Sequence, residues 1–407
     1  MEKEKQEKGI TLIALVITII VLLILAGVTI AALSGDNGIL TRAKEAKEKT
    51  EQAQKDEEKV LSDMENILGV YNFKNVNTED TNPAGAVPES STVLEADANK
   101  GIVIKDKNNN EWVWIEVPKR TVFADLTIDT TGILTEQNYT AIRNKLITYV
   151  GIYRNGSTSQ SNNNWTDEWY DGCGMTQDEY TATYQKMLKS VYTYGGFWIG
   201  RYEAGIEGSI DDVSKARTSH SAITIGTSPK AISQKDAIPY NYVYCSEAQK
   251  LAQEMMLDNN YTSSLLFGIQ WDLVCKFLEE KSTLTIADIN SDSSNWGIYN
   301  NVTRTITSVS AKKLGTPWIA ITGIKPTGNV LLTTGASDES NKMNIYDFAG
   351  NEWEWTLEHA VSDNNPCVLR GGYYEYGGSN YPACFKLQDN ITSNYNGIGF
   401  RLTFYAS

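Results

Sequence analysis

The chain has few of the residues on which metal and redox chemistry depends. Its two histidines, His220 and His359, are far apart in 407 residues, which leaves little for zinc or non-haem iron sites built from clustered imidazoles. Cys173, Cys245, Cys275, Cys367 and Cys384 are an odd number with no CxxC spacing. That pattern supports neither a metal knuckle nor a dense disulfide scaffold, and at most two bridges can form. Basic residues are outnumbered, 36 Lys and Arg against 50 Asp and Glu, for a formal charge of -14. Binding to phosphate backbones needs a basic face, so nucleic acid is not an expected partner. Nucleophile elbows, P-loops and HExxH motifs are also missing.

What is present is enough apolar sequence, 41%, to bury a real core, and an abundance of Tyr, Asn, Ser, Thr and Gly that leans toward a loop-rich exported domain. The other conspicuous feature is the run from Ile10 to Leu33, which carries no charge. At about 1.5 Å per residue its roughly 24 residues would span about 36 Å, enough for a bilayer core of about 30 Å. The run predicts a single-pass membrane helix with everything after it outside the cytoplasm, at the cell surface. A cleaved signal peptide fits less well, because the run is too long and ends without a small-x-small site.

Four segments follow from composition: a polar leader, 1–9; a helical region, 10–70; a linker, 71–100; and a folded domain, 101–407. After a turn at Ser34-Gly35-Asp36-Asn37-Gly38, a second helix is expected from about Ile39 to Leu68, rich in Ala, Glu, Lys and Gln. Residues 72–98, with Pro83, Pro88 and many Asn, Thr and Ser, read as linker. Beyond Gly101, Ile102–Ile104 and Trp112–Val117 flank an Asn-rich turn and predict a hairpin. Helical patterns occupy about 136–148, 177–189, 246–257 and 269–280. No tandem repeat is visible.

The N-terminal segment resembles the type IV prepilin leader. The resemblance rests on the charged leader ending at Lys8-Gly9, on Ile10-Thr11-Leu12-Ile13, and on the unbroken apolar helix. It implies cleavage after Gly9 by a prepilin peptidase, methylation of Ile10, and partnership with the membrane and with other pilins. Two departures matter: Ile10 stands where Phe is usual, and Ala14 where Glu is usual. The second suggests a minor or tip subunit rather than a shaft subunit.

From about residue 100 onward the chain resembles the formylglycine-generating enzymes and sulfatase-modifying factors, a variant of the C-type lectin fold. The ordered motifs are Trp112-Val113-Trp114-Ile115-Glu116, Gly196-Phe197-Trp198-Ile199-Gly200-Arg201-Tyr202-Glu203, Gly350-Asn351-Glu352-Trp353-Glu354-Trp355, Leu369-Arg370-Gly371-Gly372 and Gly399-Phe400-Arg401. The expected fold class is therefore α+β, a pilin-like transmembrane helix followed by a C-type-lectin-like domain. Trp353 and Trp355 should fill the core, and Arg370 and Arg401 should be buried partners of carboxylates. The resemblance also implies a structural calcium ion, held by side-chain oxygens of Asp347 and Glu354 and main-chain carbonyls of Gly350 and Glu352, a mixture that suits calcium.

Catalysis is not expected. The copper oxidases of that family use two cysteines about five residues apart after the Gly-Gly motif, and here Gly372 is followed by Cys384 alone. The iron-dependent relatives need several histidines, so neither copper nor iron is expected. The same stretch favours binding. Tyr373, Tyr374, Tyr376, Asn380, Tyr381, Asn394, Tyr395 and Asn396 lie among Gly and Ser, the mixture of adaptable recognition surfaces. It resembles the variable region of retroelement-diversified lectin-fold proteins. The expected function is a minor or tip pilin, an adhesin presenting this surface to an extracellular protein or glycan. The alternatives are a membrane-anchored binder outside any filament, and a formylglycine-type oxidase.

Overall fold

The structure is a computed structural model that describes residues 15–24, 44, 46–47, 49–50, 52, 71–155, 165–255, 260–362 and 364–406. The chain divides into two units, Met1–Leu68 and Gly69–Ser407.

In the first unit, residues 15–24 are helical with exposed apolar side chains. At about 1.5 Å per residue that piece is about 15 Å long, half a bilayer core. Among the described residues no helix is long and apolar enough to cross a membrane. This overturns the expected single-pass anchor and the cell-membrane localisation drawn from it. The rest of the Ile10–Leu33 run, the Gly9 and Ile10 processing site, and most of the second helix lie outside the described residues.

The second unit is a mixed α/β fold built on two sheets. Its strands are β1 (Thr92–Glu95), β2 (Val103–Lys105), β3 (Glu111–Glu116), β4 (Trp165–Thr166), β5 (Gly196–Gly200), β6 (Tyr261–Leu265), β7 (Trp353–Ala360), β8 (Cys367–Arg370), β9 (Lys386–Asp389), β10 (Ile398–Phe400) and β11 (Leu402–Ala406). Short ribbons between 205 and 325 are left unlabelled. One sheet has the order β1-β2-β3-β5-β11-β6; the other runs β9-β8-β7-β10, with β4 added to β7. The predicted hairpin is present, with Ile104 opposite Trp112. β7 pairs antiparallel with β8 but parallel with β10, so the chain must return the long way round before it closes the second sheet.

Four main helices pack on this frame: α1 (Glu136–Val150), α2 (Gln177–Tyr194), α3 (Cys245–Gln253) and α4 (Gly268–Lys281), each where the apolar spacing predicts one. Local chemistry sets their starts. Thr135 with Asn138 and Thr176 with Glu179 form reciprocal capping boxes, and each box satisfies two N–H groups that a helix start leaves open. Gly195, at φ +69°, ends α2 in the left-handed region.

Residues 71–100 are not a linker. Trp114 Nε1 donates to Thr81 Oγ1 (2.9 Å) and Trp198 Nε1 donates to the Ala86 carbonyl (2.8 Å), while β1 forms the sheet edge against β2. The Asn, Thr and Pro that suggested solvent are caps and turns: Asn82 caps the 3₁₀ turn at Pro83–Ala86, and Ala86 and Val87 enter the core. Trp353 and Trp355 are both buried in that core, as expected.

Candidate functional site

Two buried charge clusters hold the second sheet, and the tyrosine surface rests on it. In the first cluster, Arg370 donates to Glu358 Oε2 (2.6 Å) and Asp272 Oδ1 (2.5 Å). Arg154 donates to Glu358 Oε1 (2.6 Å) and to Asp167. Lys386 Nζ lies 3.3 Å from Glu358 Oε1. Three cations thus face three carboxylates away from water, which compensates the desolvation of each. Burial opposes ionisation of Glu358, but Lys386, Arg370 and Arg154 overcome it and hold the carboxyl down at about 2.

The second cluster is unbalanced. Arg401 donates to both oxygens of Glu354, from Nη2 to Oε1 at 2.7 Å and from Nε to Oε2 at 3.1 Å. Asp347, Glu352 and Glu203 are buried in the same neighbourhood. Burial, then the neighbouring Asp347, Glu352 and Glu354, push Glu203 well above the carboxylate range. Burial does the same to Glu352, outweighing the pull of the nearby Asn241 side chain. Glu354 is pushed up to about 7 by burial, against the pull of Arg401. Glu203 itself accepts from Asn351 Nδ2 (2.6 Å) and the Glu352 amide (3.1 Å).

Of the ligands expected for calcium, the side-chain oxygens of Asp347 and Glu354 are engaged by protein donors. Asp347 accepts from the Gly335 amide and the Ser340 hydroxyl, both at 2.7 Å, and Glu354 is engaged by a guanidinium. Gly350 is pressed against Ile298, where a Cβ would sit 2.2 Å from the carbonyl oxygen. Among the described residues no group of three or more His, Cys, Asp or Glu could hold a metal. Melting temperature followed with added calcium and with a chelator tests the expected ion directly, because a ligand raises the stability of the state that binds it.

Above β7 the predicted binding residues form one aromatic surface drawn from two segments. Trp353 is its floor, 5.7 Å from the Tyr373 ring and 5.1 Å from Tyr381. Tyr376 meets Tyr381 at 5.0 Å and Tyr373 at 5.5 Å. Tyr395, from the second segment, reaches Tyr373 at 6.1 Å. Tyr376 is exposed, and Tyr381 and Tyr395 are half-buried. Tyr373 and Tyr374 are buried, so they support the surface rather than present it. Asn380 is exposed beside Tyr381; Asn394 and Asn396 are half-exposed on either side of Tyr395. The Asn396 carbonyl accepts from Asn241 (3.1 Å), and the Tyr395 carbonyl accepts from the Tyr242 amide (3.3 Å).

Glycines make this packing possible. At Gly372, φ +76°, a Cβ would lie 2.3 Å from the Tyr381 carbonyl oxygen. At Gly397 it would lie 2.7 Å from the Tyr373 ring and 2.9 Å from the Tyr395 ring. Gly372→Ala is expected to cost about 1–3 kcal/mol through its backbone conformation and this clash, and to shift the Tyr381 ring resonances. Denaturant titration and NMR read the two effects.

The thiol after Gly-Gly, Cys384, is buried and donates to Asn290 Oδ1 at 3.0 Å. Sequence reading assigned no role to Glu203, although it lies inside a quoted motif. Asp272, the last residue of the Leu265–Asp272 motif that shares in the resemblance, likewise had no role assigned, and Arg154, Asp167, Glu358 and Lys386 were passed over because they lie in unrelated segments and meet only in the fold.

Residues 295–405, about a quarter of the chain, match the family described as the sulfatase-modifying factor enzyme 1-like domain. Among solved structures the chain is similar to Treponema denticola variable protein 1, at 14% identity over 52% of this chain and 85% of that one, with a TM-score of 0.28. It is similar also to CarF, at 12% identity over 52% and 87%, with a TM-score of 0.29. No curated protein matches.

Proposed function

We propose that the second unit is a ligand-recognition domain, an adhesin-type module that reads an extracellular protein or glycan with the surface of Tyr376, Tyr381, Tyr395, Asn380, Asn394 and Asn396. The supporting observation is that rings from 373–381 and from 395 meet over the Trp353 floor, so residues distant in sequence act as one platform. Tyrosine offers large contact area for two rotatable angles, and the flanking amides add adaptable hydrogen bonds. Sinking Tyr373 and Tyr374 into the core fixes the backbone beneath, which lowers the entropy lost when a partner docks. The membrane anchor expected for the N-terminal run forms no part of this reading.

The test is to probe glycan and protein arrays with the full chain and with Tyr376→Ala and Tyr395→Ala. A specific hit should weaken by about tenfold or more in each variant, as for an aromatic anchor at the centre of an interface. Hits that survive both substitutions unchanged would reject the surface as the recognition site.

A further inference from the structure

A second concave site lies at the opposite end of β7 from the tyrosine platform. β4 pairs with β7 at His359 and Ala360, whereas β10, next to the platform, pairs at Trp353 to Trp355. Just beyond β4, the 167–169 segment closes a cleft of about 310 Å³ between α1 and α2, at the lower end of the range for small-molecule sites. Glu136, Tyr139 and Arg143 stand at i, i+3 and i+7 on α1, a spacing that puts all three on one helix face, and all three line the cleft.

Three of its charged side chains are available to a ligand: Glu136 and Glu168 are exposed and Arg143 is half-buried. Among the described residues no ion pair engages Arg143, Glu136 or Glu168, although all three share the cleft; Glu136 accepts only from the Gln185 amide, at 2.9 Å. Asp167, by contrast, is committed to Arg154 and to the Gly268 and Ile269 amides. Glu136 and Arg143 are seven residues apart, about 10 Å along the helix axis, too far to neutralise one another directly. Between and across from them lie half-buried Tyr139 and Trp169. The floor holds Tyr184, 8% exposed, whose hydroxyl has no hydrogen-bond partner.

We propose that this cleft binds a small zwitterion carrying an α-ammonium and a carboxylate, a free amino acid or dipeptide. Arg143 takes the carboxylate through its planar fork of donors. Glu136 and Glu168 take the ammonium, with the faces of Tyr139 and Trp169 adding cation–π attraction and covering the apolar part of the ligand. A ligand with one charge alone would leave the oppositely charged end of the cleft uncompensated.

The test is calorimetric titration of the full chain with the twenty amino acids and a set of dipeptides, followed by the N-acetyl and methyl-ester forms of the best binder. Expected is a dissociation constant below about 1 mM, weakened by about tenfold or more when either charge of the ligand is capped. Arg143→Gln should weaken the free ligand by a similar factor and leave the methyl ester unchanged, a pattern that misfolding cannot produce. Trp169→Ala should weaken both forms. Absence of binding across the panel, or equal binding of free and capped forms, would overturn the assignment. So would insensitivity to Arg143→Gln. The tyrosine platform is untouched by these substitutions, so array hits that depend on Tyr376 stand or fall separately.

Discussion

Glu358→Gln is expected to be among the most destabilising single substitutions in the molecule, costing about 3–5 kcal/mol. Glu358 meets Arg154, Arg370 and Lys386 together. Neutralising it leaves three buried cations facing two acids, with the side-chain shape preserved. The cost therefore comes from uncompensated charge and not from a cavity. Urea denaturation should show the midpoint falling while the slope stays constant, since the surface exposed on unfolding is unchanged. A loss below about 1 kcal/mol would mean that water reaches the cluster. Glu358→Gln combined with Arg370→Met removes one charge of each sign and should recover part of the loss.

The second large effect is a fall in stability as pH rises through the mildly acidic range. Glu203, Glu352 and Glu354 sit with Asp347 around a single guanidinium, Arg401, and all four carboxyls are pushed above their ordinary range by burial. A carboxyl whose folded value is raised stabilises the native state fully below its unfolded value, and that contribution is lost as pH climbs to the folded value. For Glu354 the window runs from 4.5 to about 7, a loss on the order of 3 kcal/mol. Glu358, held down at about 2, works in the opposite sense: its contribution is lost as pH falls from 4.5 toward 2. The melting temperature should therefore peak near pH 4 to 5. Glu352→Gln should flatten the alkaline side of the profile, because an amide needs no proton to stay neutral among the other acids. A maximum at pH 7 or above in the parent chain would refute this account.

How much of this was legible beforehand depended on the range of the interaction. Elements set by short-range pattern were readable: apolar spacing placed α1, α2 and α4 close to their observed bounds, and the apolar run in Trp112–Val117 placed β3. Motif residues were readable in role, and Arg370 and Arg401 are indeed buried against carboxylates. Partners were not. Nothing near Arg370 in sequence points to Asp272, which reaches it from α4. Residues 71–100 misled because caps and turns use the same Asn, Thr and Pro as solvated linkers, and only the tertiary bonds of Thr81 and Ala86 separate the two cases. The platform was legible as composition but not as geometry. Tyr373 and Tyr374 look like Tyr376 on paper, yet the left-handed turns at Gly371 and Gly372 send the first two inward.

The edge position of β1 bears on how the domain would respond to mechanical load. A pull applied at residue 71 would not enter through a free tether. It would meet the Lys74 contacts with Ala96 and Ala98, then the Asn82 amide on the Tyr194 carbonyl, then the tryptophan bonds to Thr81 and Ala86. These fastenings are spaced along the segment, so they would release in succession. The early part of the chain would peel away as slack before the load reached β3 and β5, to which Thr81 and Ala86 are fastened.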